Sequence, residues 1–100
     1  MIRHIVAWNF KEGSSEEENL ANARKIKLAV EALGSTIPGV ISIEVEISLL
    51  RSSTHGLMLN GLYENEKSLA DYQVHPDHLR VSEFIKQVTT DRVCLDFFEG

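Results

Sequence analysis

Ile2-Arg3-His4-Ile5-Val6-Ala7-Trp8-Asn9-Phe10 decides how the rest of the chain must be arranged. Read with a period of two, Ile2, His4, Val6, Trp8 and Phe10 fall on one face. Arg3, Ile5, Ala7 and Asn9 fall on the other. Apolar groups on both faces predict a strand covered on both sides, because a half-solvated strand alternates cleanly between apolar and polar. The remaining sequence must therefore supply two covers.

Working outward, Ser14-Ser15-Glu16-Glu17-Glu18 reads as a helix start. Ser15 with Glu18, or Ser14 with Glu17, fits a capping box, and the acids complement the positive end of the helix dipole. Leu20, Ala23, Ile26, Val30 and Leu33 then form one apolar stripe, closed by Gly34 and Pro38-Gly39. Ile41, Ile43, Val45, Ile47 and Leu49 alternate with Ser42, Glu44, Glu46 and Ser48, the signature of a strand with one buried face. Arg51–Thr54 is a polar loop, and His55–Tyr63 a further strand. Asn60-Gly61 as a hairpin turn would leave very short arms. An uninterrupted strand, with Gly61 where something approaches closely, is the better reading. Glu66–Val74 is a short helix, and Pro76 opens the first turn of another running to about Val88, with Leu79, Phe84, Ile85 and Val88 as its apolar side. Arg92–Phe98 is the last strand, with Val93, Leu95 and Phe97 on one face and Cys94, Asp96 and Phe98 on the other.

The sum is β-α-β-β-α-α-β, an α+β sandwich whose helices cover one face of the sheet. The other face carries Ile5, Val93, Leu95 and Phe97, and no element remains to cover it. An exposed apolar sheet face is an interaction surface, and a second copy of the chain would fit it.

One hundred residues make a single domain, residues 1–100, with no internal repeat and no linker. A domain of this size buries only about 60–70% of its unfolded surface, so self-association would help it. The net charge of −5 and scattered basic residues argue against nucleic acid and anionic membrane as partners. No basic segment precedes a long apolar run, which speaks against a signal peptide or membrane span. One cysteine, Cys94, allows no internal disulfide and suits a reducing cytoplasm.

Four segments in order give the chain a family resemblance: Arg3-His4-Ile5-Val6-Ala7-Trp8-Asn9-Phe10-Lys11, Ile37-Pro38-Gly39-Val40, Tyr72 with His75-Pro76-Asp77-His78, and Asp91-Arg92-Val93-Cys94-Leu95-Asp96-Phe97. Together they resemble the stress-responsive A/B barrel (Dabb) family. That resemblance implies a ferredoxin-like topology with an antiparallel four-stranded sheet. It also implies a two-fold dimer, an α+β barrel in which two sheets face each other. Plant polyketide cyclases of the olivetolic acid cyclase type belong to this family and carry a Tyr and a His matching Tyr72 and His78. In them these residues perform the acid/base catalysis of an aldol-type ring closure. The matching pocket lining here is His4, Val6 and Trp8, Ile26 and Val30, Leu59 and Gly61, and Cys94 and Asp96. Leu57 replaces a further His of those cyclases, and Trp8 replaces a smaller aliphatic residue, which implies a smaller or differently shaped cavity.

The residues themselves admit that chemistry. His titrates near neutrality, and His78 sits just inside a helix start, where the dipole disfavours imidazolium and keeps the ring a proton acceptor. Tyr72 can hold a carbonyl oxygen as an enolate develops. His4 and Asp96 share one face, so Asp96 can orient the imidazole or simply satisfy it. The bland alternative for Tyr72 and His78 is packing with hydrogen-bonded polar tips. Zinc on His75 and His78, with His55 or His4, is disfavoured because Pro76 breaks the register and no cysteine pair is present, so no metal is expected. Cys94 lacks a thiolate-stabilising charge, and no phosphate loop is present.

The leading expectation is a cytoplasmic homodimer binding a small hydrophobic or carbonyl-bearing molecule between helices and sheet. Turnover would be cofactor-free proton transfer, with His78 as base, Tyr72 as donor, and His4 and Asp96 in support. The alternatives are a non-enzymatic, stress-associated structural or interaction protein and a cofactor-free monooxygenase of the same fold. A collapsed cavity would favour the structural protein, and one of several hundred Å³ a ligand site.

Overall fold

The computed structural model describes residues 1–100. Its elements are β1 (Ile2–Phe10), α1 (Glu16–Thr36), β2 (Val40–Glu46), β3 (Leu57–Tyr63), α2 (Glu66–Val74), α3 (Pro76–Val88) and β4 (Thr89–Phe98). The strands form one antiparallel sheet in the order β2-β3-β1-β4, so the topology is ferredoxin-like, as the family resemblance implies. β1 lies between β3 and β4, the interior place its two apolar faces demand.

Local chemistry fixes the helix starts. Ser15 and Glu18 make the capping box: the Ser15 hydroxyl accepts from the Glu18 N–H at 3.1 Å, and the Ser15 N–H donates to the Glu18 carboxylate at 3.3 Å. Asn65 caps α2, accepting from the Ser68 N–H at 2.8 Å. Pro76 opens α3, where its missing N–H costs nothing, and His75 Nδ1 accepts from the Asp77 N–H at 3.1 Å.

Ala23, Ile26, Val30 and Leu33 of α1 pack onto Val6, Trp8, Ile43, Val45 and Leu57 of the sheet to form the core. Several boundaries differ from the sequence reading. α1 runs through Gly34 to Thr36, because a Cβ at Gly34 would sit 2.8 Å from the Ile43 side chain and glycine lets helix and sheet close up. Leu20 and Leu79 are exposed, and Val81 packs against the core in α3 instead. β2 stops at Glu46, so Ile47 and Leu49 leave the sheet, and β4 begins three residues early, at Thr89. A bulge in β4 near Asp91, whose φ is +54°, absorbs the mismatch with β1.

β3 is uninterrupted, and the close approach expected at Gly61 is made by Tyr63. A Cβ there would lie 2.8 Å from Tyr63 Cε1 and 3.0 Å from its hydroxyl oxygen. Gly61→Ala is therefore expected to destabilise the protein by about 1–3 kcal/mol through overpacking. A urea midpoint equal to that of the wild type would show that the ring has room to yield.

The helices all pack on the side of β1 that carries His4, Val6 and Trp8. On the far face Val93, Leu95 and Phe97 are 48%, 68% and 47% exposed, so the uncovered apolar face inferred from the sequence is present.

Candidate functional site

The alternation of β1 delivers His4 to the helix side, and the register sets it opposite Asp96 of β4 and Gly61 of β3. His4 is buried, and its Nδ1 contacts a carboxylate oxygen of Asp96, which stands half-open at the sheet edge. Cys94 lies one pleat away on β4, its sulfur 3.8 Å from His4 Nδ1 and 3.6 Å from the second Asp96 oxygen. The zinc candidates in the sequence were His75 and His78 with His55 or His4, a set that does not include Cys94 or Asp96. Their ligand atoms lie within 4.8 Å of one another, the one set in the molecule that could hold a metal ion. In this arrangement burial, and then the Asp96 charge, push the Cys94 thiol pKa upward. The thiol keeps its proton and donates to Asp96, so the set is a hydrogen-bonded triad. His55 contacts Thr54 and the Asp91 carbonyl, and His75 caps α3, so neither joins His78.

From the helical side come Tyr72 of α2 and His78 of α3, brought together by the break at His75. Their ring centroids are 4.5 Å apart. The His78 Nδ1–H donates to the Gln73 carbonyl at 3.0 Å, which leaves Nε2 as the basic nitrogen. Desolvation lowers the His78 pKa, helped by the nearby His4, Arg92 and Lys86, so the ring is neutral at pH 7.

The sequence reading missed Tyr63. Its ring lies 5.9 Å from His4, edge-on, and 5.1 Å from Tyr72, so imidazole, phenol, phenol and imidazole follow one another from β1 to α3. The signal available was Gly61, two residues earlier on the same face of β3. Both phenol hydroxyls are fully buried without a well-formed hydrogen bond. Each nevertheless feels the other: burial raises both pKa values, that of Tyr72 to about 12, and Tyr63 raises its own further against Tyr72.

A cavity of about 80 Å³ lies among these groups. Its sheet and α1 walls are His4, Val6, Trp8, Val30 and Leu59, and Tyr72 and His78 close it from above. Lys86 and Arg92 place positive charge beside it. Ile26 is not on this wall: it is fully buried in the core, where α1 faces the sheet directly. Gly61 is covered by the Tyr63 ring. Asp96 faces a second cavity of about 240 Å³, whose walls include Ile2, Leu69, Gln73 and Phe98. Asp96 is paired to His4, and Gln73 to His78, so these two contacts link the rims of the two cavities. The inner volume is far below the ~300–1,000 Å³ of pockets for drug-sized ligands and holds only a few non-hydrogen atoms.

No helix is long and apolar enough to cross a membrane. No curated protein matches the sequence. Among solved structures, the chain is similar to a dimeric protein of unknown function with a ferredoxin-like fold from Bacteroides fragilis. The two are 26% identical over 96% of this chain and 93% of that one, with a TM-score of 0.89. It is also similar to a hydroxynitrile lyase from Passiflora edulis, 14% identical over 99% and 93% of the two chains with a TM-score of 0.79. The cofactor-independent oxygenase SnoaB from Streptomyces nogalater is 10% identical over 99% and 92%, with a TM-score of 0.76. Residues 2–99 match the stress responsive A/B barrel domain, and the chain belongs to that family.

Proposed function

We propose that the protein is a cytoplasmic homodimer that binds a small carbonyl-bearing molecule between helices and sheet and moves a proton on it without a cofactor. One observation carries this reading: the neutral His78, its Nδ1–H committed to Gln73, lines the same cavity as Tyr72. A base beside a phenol donor is what abstraction of a proton next to a carbonyl requires. His78 Nε2 accepts that proton, and the Tyr72 hydroxyl donates a hydrogen bond to the carbonyl oxygen as it gains charge. His4, oriented by Asp96, holds the floor of the site, and Lys86 and Arg92 suit an acidic or electron-rich ligand. The part of the ligand that enters the inner cavity must be small. The homodimer is supported by the uncovered face of Val93, Leu95 and Phe97 and by the dimeric relative from Bacteroides fragilis.

The test is deuterium incorporation from D2O into acetoin, 2-pentanone and acetoacetate, followed by proton NMR. Exchange next to the carbonyl is expected at least about a hundredfold faster than in buffer alone, the low end for positioned acid/base groups. No acceleration with any of the three, and no saturation-transfer signal for binding, would sink the reading. The small inner volume favours one rival: a structural or interaction protein whose site is filled by its own side chains. That outcome would support it.

A further inference from the structure

Tyr63 occupies a place that phenylalanine would fill with the same ring and no buried oxygen. Its hydroxyl is fully buried and lacks a partner, a condition native structures rarely keep without a use for the group. The strand also gives up a side chain for it: a Cβ at Gly61 would lie 3.0 Å from the Tyr63 oxygen. The neighbour whose need matches is Tyr72, whose ring lies 5.1 Å away and whose hydroxyl is likewise unpartnered.

We infer that Tyr63 is a positioning residue for Tyr72, its hydroxyl donating to the Tyr72 oxygen so that the Tyr72 proton is left to point at a ligand. The inference deepens, and rests on, the proposed reading of the site. The direction of the bond follows from the surroundings. The titratable groups around the pair are His4 on β1, Asp96 on β4, and His78 on α3. The Asp96 charge makes Tyr63 hold its proton harder, whereas the nearby Tyr63 hydroxyl pulls the Tyr72 pKa down against the effect of burial. Tyr63 therefore stays the donor, and any negative character gathers on Tyr72. A phenol that receives a hydrogen bond at its oxygen loses part of its adaptability as an acceptor and is held in one orientation, with its own O–H aimed away from the donor.

The chain contains two tyrosines, which makes the test clean. Protein is prepared with 3,5-difluorotyrosine, which ionises in a mild pH range, and both phenols are followed by fluorine NMR. Tyr72→Phe assigns the two signals. In Tyr63→Phe the Tyr72 midpoint is expected to rise by about 0.5–1 pH unit, the worth of one net hydrogen bond to the phenolate. Tyr63→Phe keeps the ring and should fold, with a Tm lowered by no more than the loss of one hydrogen bond implies. An unmoved or lower midpoint, or loss of the fold, overturns the inference. If Tyr63→Phe shifts the midpoint but the wild type exchanges no carbonyl proton, the phenol pairing stands and the proton-transfer reading falls. If exchange is present, Tyr63→Phe is expected to lower kcat about fivefold with KM within about twofold, as loss of one such bond implies. An unchanged kcat overturns the inference.

Discussion

Leu95→Asp is expected to split the dimer into monomers or to unfold the chain. Leu95 stands opposite Ile5 in the β1–β4 ladder, flanked on its own strand by Val93 and Phe97, on the face that no helix covers. Sealed against a second sheet, a carboxylate there would lack a partner, and an uncompensated buried charge costs about 3–5 kcal/mol. In the proposed two-fold dimer the same residue stands in both halves of the interface, so the penalty enters twice. Sedimentation velocity at micromolar concentration reads the result directly. Leu50→Asp is the control: Leu50 is more exposed than Leu95 but lies in the loop after β2, so its replacement should leave the sedimentation profile unchanged. A Leu95→Asp profile identical to that of the wild type would show that the open face is not the contact between copies.

How far the sequence could be read depended on whether a feature is local or periodic. The His4–Asp96 pairing was accessible because the strand period is two: once β1 and β4 are neighbours, parity alone puts both residues on the helix side. The bounds of α2 and α3 were accessible because Pro76 can be tolerated only in a first turn. The end of β2 was not, because Ile47 and Leu49 continue the alternation after the chain has left its partner strand. Gly61 announced a close approach without naming the visitor, since Tyr63 reaches back over it only in three dimensions. Placing Ile26 on the cavity wall failed for a similar reason: helical periodicity gives the inward face of α1 but not which inward residue meets the cavity and which meets the sheet. The expectation that Trp8 would alter the cavity is consistent with the small volume, which depends on side-chain packing that no residue pattern encodes.

His78→Ala is expected to remove the proposed exchange activity, by about 10²–10⁴-fold if His78 is the general base. The substitution deletes the neutral Nε2 and nothing on the open sheet face, so the dimer should sediment as before. Dissociation instead would mark His78 as a structural residue. The pH profile supplies an independent check with a definite sign. The base works when it is unprotonated, and burial lowers its pKa below the unperturbed value of about 6.5. Wild-type activity should therefore be complete at pH 7 and fall as the pH drops through the lowered value, with its acid limb below pH ~6.5 rather than above it. Stability follows the same direction. The unfolded chain takes up this proton at a higher pH than the folded one, so the contribution is complete above about pH 6.5 and is lost as the pH falls towards the folded value. A rate that declines between pH 8 and pH 7 would require a raised His78 pKa, opposite to what its half-buried place against Tyr72 and its hydrogen bond to Gln73 produce on balance, and would assign the base to another residue.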